Sequence, residues 1–84
     1  MPNFTATVSV TFKATVNDPE GLTITSALHS LEFEDVQSVR VGKIFTIALQ
    51  TSTKKSAEQQ VDEMCKRILA NPVIETYSFK VVKK

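Results

Sequence analysis

The sequence predicts an α+β fold with the element order β-α-β(β)-α-β, an antiparallel sheet carrying two helices on one face. Three observations lead there. The chain opens on a strict two-residue alternation, it contains two stretches of helical periodicity behind capping signals, and extended apolar segments lie between and after them.

The first strand is the clearest element. From Phe4 to Val16 every even position is apolar (Phe4, Ala6, Val8, Val10, Phe12, Ala14, Val16), and the odd positions are Thr, Ser or Lys. That pattern gives one buried and one wet face. The run exceeds the usual strand of about five or six residues, so part of it is expected to extend beyond the chain's own sheet. Asn17 to Gly21 ends it. Asp18 is a good N-cap, Pro19 fits the first helical position, and Glu20 suits the positive end of the helix dipole. Leu22, Ile24, Ala27, Leu28 and Leu31 then extend a helix from about Pro19 to Glu32. Gly21 inside its first turn is either a small propensity cost or a place of close backbone approach; the sequence leaves both open.

Val36 to Gln50 is extended again, with weak punctuation. No Asn-Gly, Asp-Gly or Pro-Gly pair marks a tight hairpin, and Gly42 stands alone. Either two strands meet at Gly42-Lys43 or one long strand bends there. The favoured reading is the long bent central strand, which could pass into a second sheet across a dimer. Thr51 to Ser56 reads as a polar loop. Ser56 and Gln59 have capping-box spacing, and Ala57, Val61, Met64, Cys65, Ile68 and Leu69 form an apolar stripe on a second helix ending at Asn71-Pro72. Val73 to Val82 is the last strand, with Val73, Tyr77, Phe79 and Val81 on one face and Ile74 and Val82 on the other. Lys83-Lys84 reads as a frayed tail. This order resembles ferredoxin-like folds, which host many functions, and residues 1–84 read as one domain.

Composition narrows the function. Hydrophobic residues make up 42 % of the 84 residues and charged ones 23 %, which is ordinary for a globular chain. A net charge of +1 argues against nucleic-acid binding, and no apolar run approaches a membrane span. With no signal-peptide pattern, the expected location is the cytoplasm. One Cys excludes an intrachain disulfide, and one His with one Cys cannot close a Cys/His zinc site. Two Gly exclude a Gly-rich phosphate loop. So small a domain buries only about 60–65 % of the surface its unfolded chain would expose, and oligomerisation is the remaining way to supplement its core.

Few residues are candidates for chemistry. His29 has Thr25 and Phe33 one turn away, neither a relay partner, and reads as a partly exposed or interface histidine. Cys65, within the apolar stripe, reads as a buried structural thiol. Glu32, Glu34 and Asp35 read as a solvated acidic loop, and Lys54 and Lys55 as loop charge. Arg40, Gly42 and Lys43 form the most informative polar cluster. Arg40 alternates with Val39 and Val41, and a strand-borne Arg beside a backbone bend could meet a carboxylate or phosphate on a partner; the plainer reading is a charge that blunts a sheet edge.

Four motifs in order carry a resemblance: Asp18-Pro19-Glu20-Gly21, Ala27 to Leu31, Val36-Gln37-Ser38-Val39-Arg40-Val41-Gly42-Lys43, and Met64 to Tyr77 with its Ile68-Leu69-Ala70-Asn71-Pro72 core. Together they resemble the PurS family, small subunits of phosphoribosylformylglycinamidine (FGAM) synthase in purine biosynthesis. Ile44 departs from it, standing where the family often carries an aromatic residue. The resemblance implies a non-catalytic dimer or dimer of dimers that bridges the glutaminase PurQ and the synthetase PurL in support of ammonia transfer. It also implies that ATP, Mg²⁺ and glutamine are used by the complex and no cofactor is bound by this chain. Arg40, Gly42 and Lys43 then become candidate partner contacts. The alternative from another class is a small ligand-sensing α+β dimer that binds an amino acid or nucleotide at its interface.

Overall fold

A computed structural model describes residues 1–84. Strand β1 (Asn3–Phe12) lies at the middle of a three-stranded antiparallel sheet, between β2 (Gly42–Gln50) and β3 (Glu75–Lys83). Helix α1 (Pro19–Ser30) joins β1 to β2, and helix α2 (Lys54–Met64) with one π-helical turn over Cys65–Leu69 joins β2 to β3.

The register follows from the alternation. Val8 sits opposite Phe45 of β2 and Phe79 of β3, which puts Phe4, Ala6, Val8 and Val10 on one face between two apolar rows. All four are buried. Helix α2 covers this face above β1 and β3, and its stripe Ala57, Val61 and Cys65 is fully buried. Each fully buried valine contributes about 1.5–3 kcal/mol. A polar strap adds direction: the Tyr77 hydroxyl donates to Asp62 Oδ1 at 2.6 Å, and Lys66 Nζ lies 3.0 Å from Asp62 Oδ2.

Helix α1 does not share in this core. Of its residues only Gly21 is buried, and Leu22 and Leu31 remain 61 % and 66 % exposed. The helix starts at the end of the sheet where β1 stops and projects beyond it. A strand of 10 residues and a helix of 12, laid end to end at about 33 and about 18 Å, account for the 52 Å long axis of a molecule only 14 Å thick. The radius of gyration is 16.6 Å, against about 12 Å for a globular chain of this length. The accessible surface is 6064 Å², against about 5,000 Å² for a compact monomer of this mass.

Several elements differ from the sequence reading. The alternation runs to Val16, but β1 ends at Phe12: Lys13 N–H makes a last bond to Ile74, and Val16 N–H then closes a turn onto Lys13. The central segment is neither a hairpin nor the expected long strand bent at Gly42, since only Gly42–Gln50 is strand. Its first half, 36–41, is not strand, because β1 offers its last partner at Thr11, opposite Gly42. Helix α2 starts earlier than expected. Thr53 is the N-cap, its Oγ1 accepting from Ser56 N–H at 3.1 Å, so Lys54 and Lys55 lie in the first turn and not in a loop. The π turn closes with Ala70 N–H on Cys65 O, and this wider turn rotates Ile68 outward to 79 % exposure although the stripe had placed it inward. Val73 lies in the turn that Asn71 organises, outside β3, and Lys83 is paired with Phe4, not frayed.

Val61→Ala is expected to lower the unfolding free energy by roughly 1–3 kcal/mol in urea titration, by removing buried methyl groups beneath α2. Val73→Ala, at an exposed turn, should change it by under about 0.5 kcal/mol.

Candidate functional site

The polar cluster singled out in sequence lies where β1, α1 and β2 converge. At its centre is Asp18, buried to 2 % exposure. Oδ1 accepts the Gly21 N–H at 2.9 Å, which caps α1, and Oδ2 accepts the Val41 N–H at 2.7 Å from the segment leading into β2. The Val41 N–H, then the Gly21 N–H, hold this carboxyl below its ordinary range, with help from the Arg40 charge and against the opposing effect of burial.

The glycines at this junction are places of close approach. A Cβ on Gly21 would lie 2.1 Å from the Val39 carbonyl oxygen, so the first turn of α1 rests directly on the backbone of the returning segment. That resolves the alternative left open in sequence. A Cβ on Gly42 would lie 2.7 Å from the Val10 carbonyl oxygen and from Thr11 Cγ2. Arg40 closes the other side, its Nη2 donating to the carbonyls of Lys13 at 2.9 Å and Val16 at 2.7 Å. It thereby holds the turn that ends β1. Lys43 Nζ lies 3.7 Å from Glu75 Oε2, whose other oxygen accepts the Asn71 N–H at 2.8 Å.

Arg40, Gly42 and Lys43 are thus brought to one end of the sheet, in a setting of backbone carbonyls and amides. Asp18 was legible as a cap, but its bond to Val41 had no sequence signal, since any residue supplies a backbone N–H. Glu75 was not singled out. His29 is elsewhere, its Nε2–H donating to Val36 O at 2.7 Å and tying the end of α1 to the following loop. The acidic loop is exposed. Glu32 occupies the left-handed region at φ 74°, where Phe33 N–H bonds Leu28 O and Glu32 N–H bonds His29 O, a glycine-type helix ending made by a glutamate. Cys65 is buried, and burial followed by the nearby Asp62 pushes its thiol up.

The electrostatics at the perturbed groups run opposite to those of a catalytic centre. Asp18 and Asp62 are made more acidic, Lys66 more basic, and Cys65 and Tyr77 less acidic. For Asp62 and Tyr77 the chief cause is their mutual hydrogen bond; for Lys66 it is the bond to Asp62. Every one of these shifts moves the group away from neutrality, whereas acid–base catalysis needs groups brought toward it. The hollow at the junction, lined by residues including Phe12, Glu20, Lys43 and Glu75, has a volume of about 210 Å³. A larger hollow at the opposite end, between Asn3, Leu49, Gln50 and Lys84, holds one charged side chain. No group of three or more His, Cys, Asp or Glu side chains converges as a metal site, and no helix is long and apolar enough to cross a membrane.

Comparison with known proteins gives one answer. Residues 5–83 match the family model PurS, phosphoribosylformylglycinamidine (FGAM) synthase. The phosphoribosylformylglycinamidine synthase subunit PurS of Methanocaldococcus jannaschii is 41 % identical over 80 residues, covering 95 % of this chain and 96 % of that protein. The crystal structure of Bacillus subtilis PurS matches with a TM-score of 0.82 at 37 % identity, over 94 % of this chain and 98 % of that one. A chain in the structure of PurLQS from Thermotoga maritima matches with a TM-score of 0.90 at 30 % identity, over 98 % of this chain and all of that one. The α+β arrangement of three antiparallel strands and two helices is shared with these structures.

Two substitutions test the junction. Gly21→Ala should destabilise by roughly 1–3 kcal/mol in urea titration, because the obstructing atom is a backbone carbonyl, although alanine ordinarily favours a helix by about 1 kcal/mol. Asp18→Asn keeps one acceptor but turns an N–H₂ toward one of the two amides. The depressed Asp18 pKa means that its stabilisation is present above about pH 4 and is lost as pH falls through the depressed value. Melting curves at pH 7 and pH 3 should therefore show a lower Tm for Asp18→Asn at pH 7 and a smaller acid-induced loss than in the parent chain.

Proposed function

This chain belongs to the PurS family, and we propose that it is the small, non-catalytic subunit of an FGAM synthase in purine biosynthesis, assembling with PurL and PurQ. The observation that carries this reading is the full-length likeness to the chain in the PurLQS structure, together with 41 % identity to a PurS subunit over nearly the whole of both chains. The subunit holds the glutaminase PurQ in fixed geometry against the synthetase PurL, so that ammonia released from glutamine reaches the second active site without loss to water. ATP, Mg²⁺ and glutamine are bound by the larger subunits, and this chain binds no cofactor. The compartment is the cytoplasm, where purine nucleotides are made.

The chain's own physics supports a geometric role. Its perturbed groups are stabilised in their ordinary charge states, which serves structure and not proton transfer. The subunit self-associates: its surface exceeds that of a compact monomer by about 1,000 Å², while a standard interface buries about 800 Å² per partner. Arg40, Gly42 and Lys43, at the root of the projecting helix, lie at or near a subunit contact.

Reconstitution tests the assignment. PurL with PurQ should lose glutamine-dependent FGAM synthesis at least about tenfold when this chain is omitted, while ammonia-dependent synthesis by PurL persists. Equal glutamine-dependent rate and affinity without this chain would overturn it.

A further inference from the structure

The junction where β1, α1 and β2 converge carries a hollow of about 210 Å³. Three elements bring charged side chains to it: Glu20 from the first turn of α1, Lys43 from the start of β2 and Glu75 from the start of β3. Half-buried Phe12 and Val41 give it an apolar lining. Register explains the convergence. Lys43 stands opposite Val10 and Glu75 opposite Phe12, so the two charges flank the end of the apolar row of β1.

These charges are only partly used within the chain. Glu75 is engaged: one oxygen accepts the Asn71 N–H at 2.8 Å, and the other lies 3.7 Å from Lys43 Nζ. That separation is too long for a hydrogen bond. The Lys43 ammonium, on a side chain 59 % exposed, therefore has three donors and no acceptor among the chain's own groups. Glu20 enters no ion pair. A free cation and a free anion thus line one hollow without pairing across it.

We infer that this hollow binds a free α-amino acid, its carboxylate on Lys43, its ammonium on Glu20, and a short side chain against Phe12 and Val41. The inference goes beyond the subunit role proposed above and does not rest on it. Charge selects this class of ligand. A simple anion would answer Lys43 but be repelled by two carboxylates, and a simple cation would answer Glu20 but be repelled by Lys43. An amino acid carries both charges on one carbon and answers both groups at once, with a charge-assisted hydrogen bond at each end. The Glu75 carboxylate, fixed by Asn71, holds the Lys43 ammonium at this end of the sheet. Size agrees. Sites for drug-sized ligands run to about 300–1,000 Å³, so about 210 Å³ suits a molecule no larger than an amino acid.

The test titrates the full chain, labelled with ¹⁵N, with L-alanine, L-valine and L-glutamine in turn and reads the amide shifts. At least one should give saturable shifts at about millimolar concentration, centred on Glu20, Val41, Lys43 and Glu75. Isobutylamine and isobutyrate, each carrying one of the two charges, should bind at least about tenfold more weakly than that amino acid. Glu20→Gln and Lys43→Met should each weaken it at least about tenfold, with amide shifts away from the hollow unchanged, while Lys43→Arg, which keeps the cation, should retain binding. Three results would overturn the inference: no saturable shift with any of the three amino acids, equal binding of isobutyrate, or unchanged binding in both charge-removing variants. Co-elution with PurL and PurQ is measured separately, so loss of the amino-acid site leaves the subunit assignment standing.

Discussion

One carboxylate sets the shape of this molecule. Asp18 accepts a hydrogen bond from the first turn of α1 and another from the segment that becomes β2, two amides that lie 20 residues apart in sequence. A buried carboxylate with both oxygens engaged fixes the direction in which α1 leaves the sheet. Gly21 permits that direction by bringing the helix onto the Val39 carbonyl, and Arg40 secures the preceding turn through the carbonyls of Lys13 and Val16. Loosen this junction and the helix loses its hold on the sheet, since none of its apolar side chains is buried against it.

The consequence is a division between a closed half and an open half. Over β1 and β3, α2 completes a small core of Val8, Val10, Val61 and Cys65, reinforced by the Tyr77–Asp62 hydrogen bond. Over β2 the inner face is only partly covered, and α1 extends away with its own apolar stripe exposed. A chain of this size has little core to spare, so leaving half a face open is costly unless another surface closes it. The same thinness that makes the monomer marginal gives it long edges and faces for assembly.

The perturbed groups point the same way. Asp18, Asp62, Lys66 and Tyr77 are all engaged in bonds that deepen their ordinary charge states, and the Cys65 thiol is withdrawn from solvent. An active site assembles groups in opposed environments to bring their titrations toward neutrality. Here electrostatic interactions are used as fasteners. The chain that carries them belongs to the PurS family.

Local order was largely legible from residue pattern. The alternation of Phe4 to Phe12 set the strand and its buried face, Asp18-Pro19 set the helix start, and Asn71-Pro72 marked the end of the second helical run, because these signals act through side-chain period and the torsions of neighbouring residues. Cys65 was legible as buried. What pattern could not supply was every decision made by backbone pairing at long range. Ala14 and Val16 continue the alternation without being strand, because the strand ends where its neighbours end. Ile68 keeps helical spacing yet faces outward, because one turn widened to five-residue bonding. The junction itself depends on amides and carbonyls of Gly21, Val39 and Val41, groups every residue carries and no composition distinguishes. Side-chain chemistry written along the chain decided the elements; the meeting of identical backbone groups in space decided where α1 points and which apolar surfaces remain exposed.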